Sequence, residues 1–193
     1  MEMMENEHEI TEKSQSDPQH FVHHYNHYLP QIYNYVFYKV GNTHVAEDIV
    51  SDTFYKALKN ISKYKNKGFF QAWLFAIARN TVISHYRKNS REILYSFDNT
   101  DHPDPVTVED IVSTKESRAE LLNKVASLPP NQQDALLLRY TEDLKIKEIA
   151  CILNKSEGAV KLLLHRGLRN LYSELSNSEK GSAVLYREAV LYR

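Results

Sequence analysis

Cysteine occurs once in 193 residues, at Cys151, so the chain cannot close an internal disulfide. Glycine occurs five times and proline six, which leaves long segments without a breaker. No apolar run approaches the ~18 residues that a membrane-spanning helix requires, and no membrane insertion is expected. The first residues, MEMMENEHEITEK, carry neither a basic n-region nor an apolar h-region, so no signal peptide is expected and the cytoplasm is the default compartment. Catalytic signatures are missing too: there is no P-loop, nucleophile elbow or HExxH. Cys151 falls in a helical segment whose apolar spacing predicts burial. Neither an enzyme activity nor a cofactor is expected.

The net charge of −1 conceals a polarised chain. Residues 1–20 sum to −5, 21–53 to −2, 54–91 to +9, 92–116 to −6 and 117–193 to +3. Between Phe54 and Arg91 there is no acidic residue, while Lys56, Lys59, Lys63, Lys65, Lys67, Arg79, Arg87, Lys88 and Arg91 are basic. Such a run belongs to a surface that meets phosphate or another polyanion.

Apolar residues recur at three- and four-residue spacings, which predicts an all-α fold. Residues 1–17 read as a disordered acidic N-terminus. Asp17-Pro18 marks a helix start, and Phe21, Tyr25, Tyr28, Ile32, Tyr35 and Val36 line one face of a segment that Pro30 is expected to kink or divide and Gly41 to close. A second helix follows Thr43, then a basic loop over 63–68 and a third helix over 69–88. Residues 18–95 thus form one helical domain. Residues 96–116, rich in Asp, Ser, Thr and Pro, form a flexible acidic linker. A second small helical domain spans 117–176, with helices near 130–140, 145–152 and 156–175. The tail, 177–193, holds AVLYR twice and has no assigned role.

Two constellations carry chemistry. In the second domain, LKIKEIACI is a short amphipathic helix, Leu153-Asn154-Lys155 a tight turn, and Ser156 an N-cap for a further helix. This is the helix-turn-helix layout, whose second helix enters the DNA major groove. Val160, Leu163, Leu164, Leu168 and Leu171 fall on its inner side. Gly158, Leu162, His165, Arg166 and Arg169 fall on the outer side, with Lys161 at the border and Lys155 and Ser156 at the entrance. Small residues near the start and cations further on suit groove entry and phosphate contact. An ordinary helical hairpin with a solvated basic face has the same spacing.

In the first domain, aromatics sit among cations: Tyr64 between Lys63 and Lys65, then Phe69, Phe70 and Trp73 after Lys67. Cations that follow a phosphate backbone, with rings on which unpaired bases stack at roughly 1–3 kcal/mol each, are what single-strand binding requires. Phe70, Trp73, Leu74 and Ile77 also have the spacing of a helix core. Tyr64 and Phe69, in or beside the loop, are the better contact candidates.

The stretch HVAEDIVSDTFYKALKN (44–60) followed by FQAWLFAIARNTVISHYRKNSR (70–91) resembles conserved region 2 of bacterial sigma factors. LPPNQQDALLLRYTEDLKIKEIACILNKSEGAVKLLLHRGLRNL (128–171) resembles their region 4. Region 2 joined to region 4 by a short linker is the layout of the extracytoplasmic-function (ECF, group 4) sigma factors of the sigma-70 family. The resemblance implies a subunit that binds core RNA polymerase and directs promoter-specific initiation. Glu47, Asp48, Asp52, Thr53 and Lys56 would supply polar contacts to the clamp helices of the β′ subunit, and region 4 would meet the β flap. Lys63, Tyr64, Lys65, Lys67, Phe69 and Trp73 would hold the −10 element as it melts, with Asn80, Arg87 and Lys88 in the segment that reads it. Lys155, Ser156, Gly158, Lys161, Leu162, His165, Arg166 and Arg169 would read the −35 element as duplex. The family also implies an anti-sigma factor that restrains the protein, in some members at the membrane.

Two positions depart from the family pattern. Ser84 stands where Asp is frequent, and Leu162 where a small polar residue is common, which favours contact with a thymine methyl or a sugar. His20, His23, His24 and His27 share one helical face at spacings that suit a metal. With no Cys nearby and no metal implied by the resemblance, a polar or partner-facing surface is expected and no metal site. A stand-alone helix-turn-helix regulator and a His-dependent metallonuclease are the competing readings.

Overall fold

The computed structural model describes residues 11–15, 17–65, 69–92, 121 and 124–176, all of them helix, turn or connecting chain with no strand. The chain divides into two compact units, Met1–Thr107 and Val108–Arg193.

The first unit is built on three long helices. α1 (Phe21–Val40) ends at Gly41, whose left-handed φ of 68° would strain any residue with a Cβ and whose N–H closes the last turn on the Phe37 carbonyl at 2.8 Å. α1 runs unbroken through Pro30, so the expected division does not occur. The flanking turns bury Tyr28, Ile32, Tyr35 and Val36, and this packing holds the helix across the missing N–H. α2 (Thr43–Asn60) is capped by Asn42, whose Oδ1 accepts the Val45 N–H at 3.0 Å. α3 (Phe70–Glu92) begins on the Phe69 carbonyl, which accepts the Trp73 N–H at 3.0 Å. The three helices pack on one another around Ile32, Tyr35, Val36, Ala46, Ile49, Val50, Leu74, Phe75, Ala78 and Val82.

Residues 11–15, expected to be disordered, are instead a helical turn, and Thr11 and Ser14 are fully buried. Composition misleads here because the turn is fixed by side-chain hydrogen bonds to the bundle rather than by apolar area. The linker 96–116, the doubled AVLYR tail, Lys67 and residues 1–10 lie outside the described residues.

The second unit packs α4 (Pro130–Tyr140), α5 (Ile146–Leu153) and α6 (Glu157–Ser176) pairwise. Pro129-Pro130 starts α4, because proline needs no donor at a first helical position. Between α5 and α6, Asn154 is left-handed (φ 51°) and Lys155 N–H returns to the Ala150 carbonyl at 2.9 Å. Ser156 Oγ then accepts the Ala159 N–H at 3.2 Å and caps α6. Gly167 is the crossing point of α6 with α4: a Cβ there would meet Leu136 Cδ1 at 3.1 Å.

Candidate nucleic-acid interface

On α6 the two faces separate as the spacing predicts. Val160, Leu164 and Leu171 are buried against α4 and α5, with Leu163 and Leu168 half-buried. Lys155, Ser156, Gly158, Lys161, Leu162, His165, Arg166 and Arg169 are all exposed. Leu162, 46% exposed, is a large apolar side chain held out by the helix that carries the cations. Space around Gly158 is open to 4 Å, so its missing side chain serves no packing purpose within this unit. A short tight turn, a capped helix and an uncrowded N-terminal glycine present backbone and cations on one exposed edge, which is what groove entry demands.

In the first unit, α3 carries Trp73, Ile77, Asn80, Ser84 and Arg87 at successive four- and three-residue steps, hence along one stripe. Trp73 and Ile77 are half-buried, while Asn80, Ser84, Arg87 and Lys88 are exposed. At the stripe's N-terminal end stands an aromatic cluster. Tyr64 meets Trp73 at 4.8 Å between ring centroids and Phe70 edge-on at 5.6 Å. Phe70 is 1% exposed and belongs to the core. Tyr64 and Phe69 are half-buried, and Lys63 and Lys65 beside them are exposed. The structure thus joins the loop residues and the helix residues into one strip, with rings and cations together at one end and Arg87 and Lys88 at the other.

The stripe Asp48, Asp52 and Tyr55 of α2 is exposed, as is Glu47 beside it. Lys56 pairs with Asp52 (Nζ–Oδ2 2.7 Å) and reaches Thr81 Oγ1 at 3.3 Å, so part of this acidic face is already neutralised. A cleft of about 310 Å³ lined by Asp48, Asp52, Thr81, Ser84, His85 and Lys88 separates this face from the basic end of α3. Thr53 does not belong to the docking set. It is fully buried, and its hydroxyl donates to the Ile49 carbonyl at 2.7 Å, which removes the only polar reason to leave it outside.

Two further expectations are corrected. Cys151 is exposed, because the eight-residue α5 buries Ile149, Ala150, Ile152 and Leu153 and turns the thiol to solvent. His24 does not share the surface of its neighbours. It is 3% exposed and stacks on Phe70 at 3.9 Å. Burial, with the charges of His27 and His23 adding to it, lowers its pKa to about 4, so it is neutral at pH 7. His23 and His27 remain exposed. Among the described residues, no three His, Cys, Asp or Glu side chains converge where a metal ion would sit.

Sequence reasoning alone misses Gly167, although a glycine in a helix interior is a signal of close approach.

The family model of sigma-70 region 2 matches residues 24–92, and that of sigma-70 region 4 matches residues 118–171. The chain is 35% identical over 167 residues to the ECF RNA polymerase sigma factor BldN of Streptomyces coelicolor, covering 84% of this chain and 63% of that protein. It is 31% identical over 158 residues to the ECF sigma factor SigM of Bacillus subtilis, covering 80% of this chain and 96% of that protein. Among solved structures, sigma factor RpoE of Bartonella quintana, bound to the anti-sigma factor NepR, superposes with a TM-score of 0.67 at 23% identity over 83% of this chain and 98% of that one. CnrH, in complex with the cytosolic domain of CnrY, gives 0.69 at 17% identity over 89% and 98%. These two structures share the fold. Two sigma regions matched in order and a relative matched over nearly its whole length place the chain in the extracytoplasmic-function sigma factors of the sigma-70 family.

Proposed function

We propose that this chain is the promoter-specificity subunit of a bacterial RNA polymerase, with no chemistry of its own. Its exposed α2 residues Glu47, Asp48 and Asp52, with Lys56, dock on the β′ clamp helices, and the second unit meets the β flap. The strip from Tyr64 and Phe69 through Trp73 and Asn80 to Arg87 and Lys88 holds the −10 element as its strands part. The exposed edge of α6 reads the −35 element while it is still paired. One chain therefore divides the work by DNA state: stacking where bases are unpaired, groove reading where they are not.

The observation that carries this reading is the presence in one chain of two chemically different surfaces, an aromatic and cationic strip at Tyr64 and along α3 and an exposed, cation-bearing edge on the capped helix α6. A stand-alone regulator needs only the second. Restraint by an anti-sigma factor is consistent with the structural relative RpoE, solved bound to the anti-sigma factor NepR, and a cytoplasmic location follows from the polymerase partner.

A mobility-shift experiment with promoter duplex, with and without core enzyme, tests the reading. Tight, site-specific binding only in the presence of core supports it. Equally tight binding by the free chain contradicts it and favours a stand-alone regulator.

A further inference from the structure

The helical turn over 11–15 offers little apolar surface to fix it, yet Thr11 and Ser14 are fully buried. Two side-chain contacts from this turn lead to one place. The Thr11 hydroxyl lies 3.2 Å from His24 Nε2, and His24 stacks flat on Phe70 at 3.9 Å. The Gln15 side-chain amide donates to the Tyr64 carbonyl at 2.6 Å, across 49 residues of sequence. Tyr64 in turn packs on Phe70 and Trp73. One end of the turn thus reaches the aromatic cluster through His24 and Phe70, and the other holds the backbone of its outermost ring.

Tyr64 leaves the 3-10 turn Ile61–Lys63 in an extended conformation (φ −65°, ψ 120°). A hydrogen bond on the Tyr64 carbonyl fixes that peptide plane, and with it the direction in which the chain leaves the ring. Order established during folding then costs the captured strand nothing further.

We propose that residues 11–15 are a strap that presets Tyr64 for capture of the opened −10 strand, with Gln15 as its positioning residue. This rests on the reading of Tyr64 and Phe69 as single-strand contacts. The strap acts on the opening step. It leaves core binding and closed-complex formation, which use α2 and α6, unchanged.

The test uses full-length chain with core enzyme at saturating concentration and a promoter duplex. Gln15→Met keeps the length and removes the donor; Gln15→Glu replaces the donor with an acceptor facing the carbonyl. Closed-complex affinity is read at low temperature, and opening is followed by permanganate reactivity of −10 thymines. Both variants are expected to open about 2- to 10-fold more slowly, the span of one part-buried hydrogen bond, with closed-complex affinity unchanged. In a Tyr64→Ala background, Gln15→Met is expected to add nothing, because the ring it positions is gone. If Tyr64→Ala alone leaves opening unchanged, the single-strand reading itself fails. If Tyr64→Ala slows opening and Gln15→Met does not, or if Gln15→Met slows it equally in both backgrounds, the strap is overturned.

Discussion

His24 places a titratable ring in the core of the first unit, and the consequence can be measured. Its pKa is about 4 in the folded chain against 6.5 for an unperturbed imidazole. Between those values the unfolded chain binds the extra proton and the folded chain does not. Stability from this group is therefore complete above about pH 6.5 and is lost as pH falls towards 4. At about 1.4 kcal/mol per unit the shift sets an upper limit near 3 kcal/mol, of which roughly 2–3 kcal/mol is lost by pH 4.5. The chain's single tryptophan, Trp73, sits 5.3 Å from the Phe70 ring on which His24 stacks, so its fluorescence reports this unit within the intact chain. Urea unfolding at pH 7.5 and pH 4.5 should be compared for wild type and His24→Phe, which keeps an aromatic face on Phe70 but cannot take up a proton. Other groups titrate in this range in both proteins, so the quantity that counts is the difference between their pH dependences. With a urea slope of about 1 kcal/mol per molar, the wild-type midpoint should fall by about 2–3 M more than the variant's. At pH 7.5 the variant should be weaker by about 1 kcal/mol, the Thr11 bond it forgoes. Equal pH dependence in the two proteins would show that His24 is not held neutral by burial and would refute the argument.

Three other outcomes follow from the geometry. Arg166→Ala with Arg169→Ala should reduce the salt slope of promoter binding by about 0.9 for each phosphate that is no longer neutralised, measured by titrating holoenzyme binding against potassium chloride; an unchanged slope would exclude both from the interface. Gly158→Ala should stabilise the second unit by up to about 1 kcal/mol, since a Cβ there meets nothing within 4 Å, whereas Gly167→Val should destabilise it by about 1–3 kcal/mol by forcing Leu136 aside; thermal unfolding of the two variants checks the contrast. Tyr64→Ala with Phe69→Ala should spare the closed complex and impair strand opening most at low temperature, as permanganate footprinting reads.

Much of the fold and of the α6 surface is legible in the sequence because local chemistry and tertiary packing agree. Asn154 and Ser156 fix the turn between α5 and α6 whatever surrounds them, and the apolar period of α6 assigns its two faces correctly. Gly41 ends α1 for a reason that is local as well. The misreadings share a different cause. The family resemblance sets Thr53 among the polar docking contacts, yet a threonine in a helix can satisfy its hydroxyl on the carbonyl four residues back and pack as a valine would. Spacing groups His24 with His20, His23 and His27, but a neutral imidazole stacks in a core like any aromatic ring. The apolar spacing of α5 suggests a buried Cys151, whereas in this eight-residue helix Ile149, Ala150, Ile152 and Leu153 are covered and the thiol is exposed. Turn 11–15 leaves no periodic trace, since its anchors are hydrogen bonds to residues 13 and 49 positions away.

The most direct test of the central claim is transcription reconstituted from purified chain and bacterial core enzyme on a library of genomic fragments. A promoter-specificity subunit should direct initiation from a discrete set of fragments that core enzyme alone does not transcribe. Their start sites should be preceded by shared −10 and −35 sequences, with transcription abolished when Tyr64 and Phe69 or Arg166 and Arg169 are replaced. Absence of core binding, or core binding without initiation at any fragment, would contradict it.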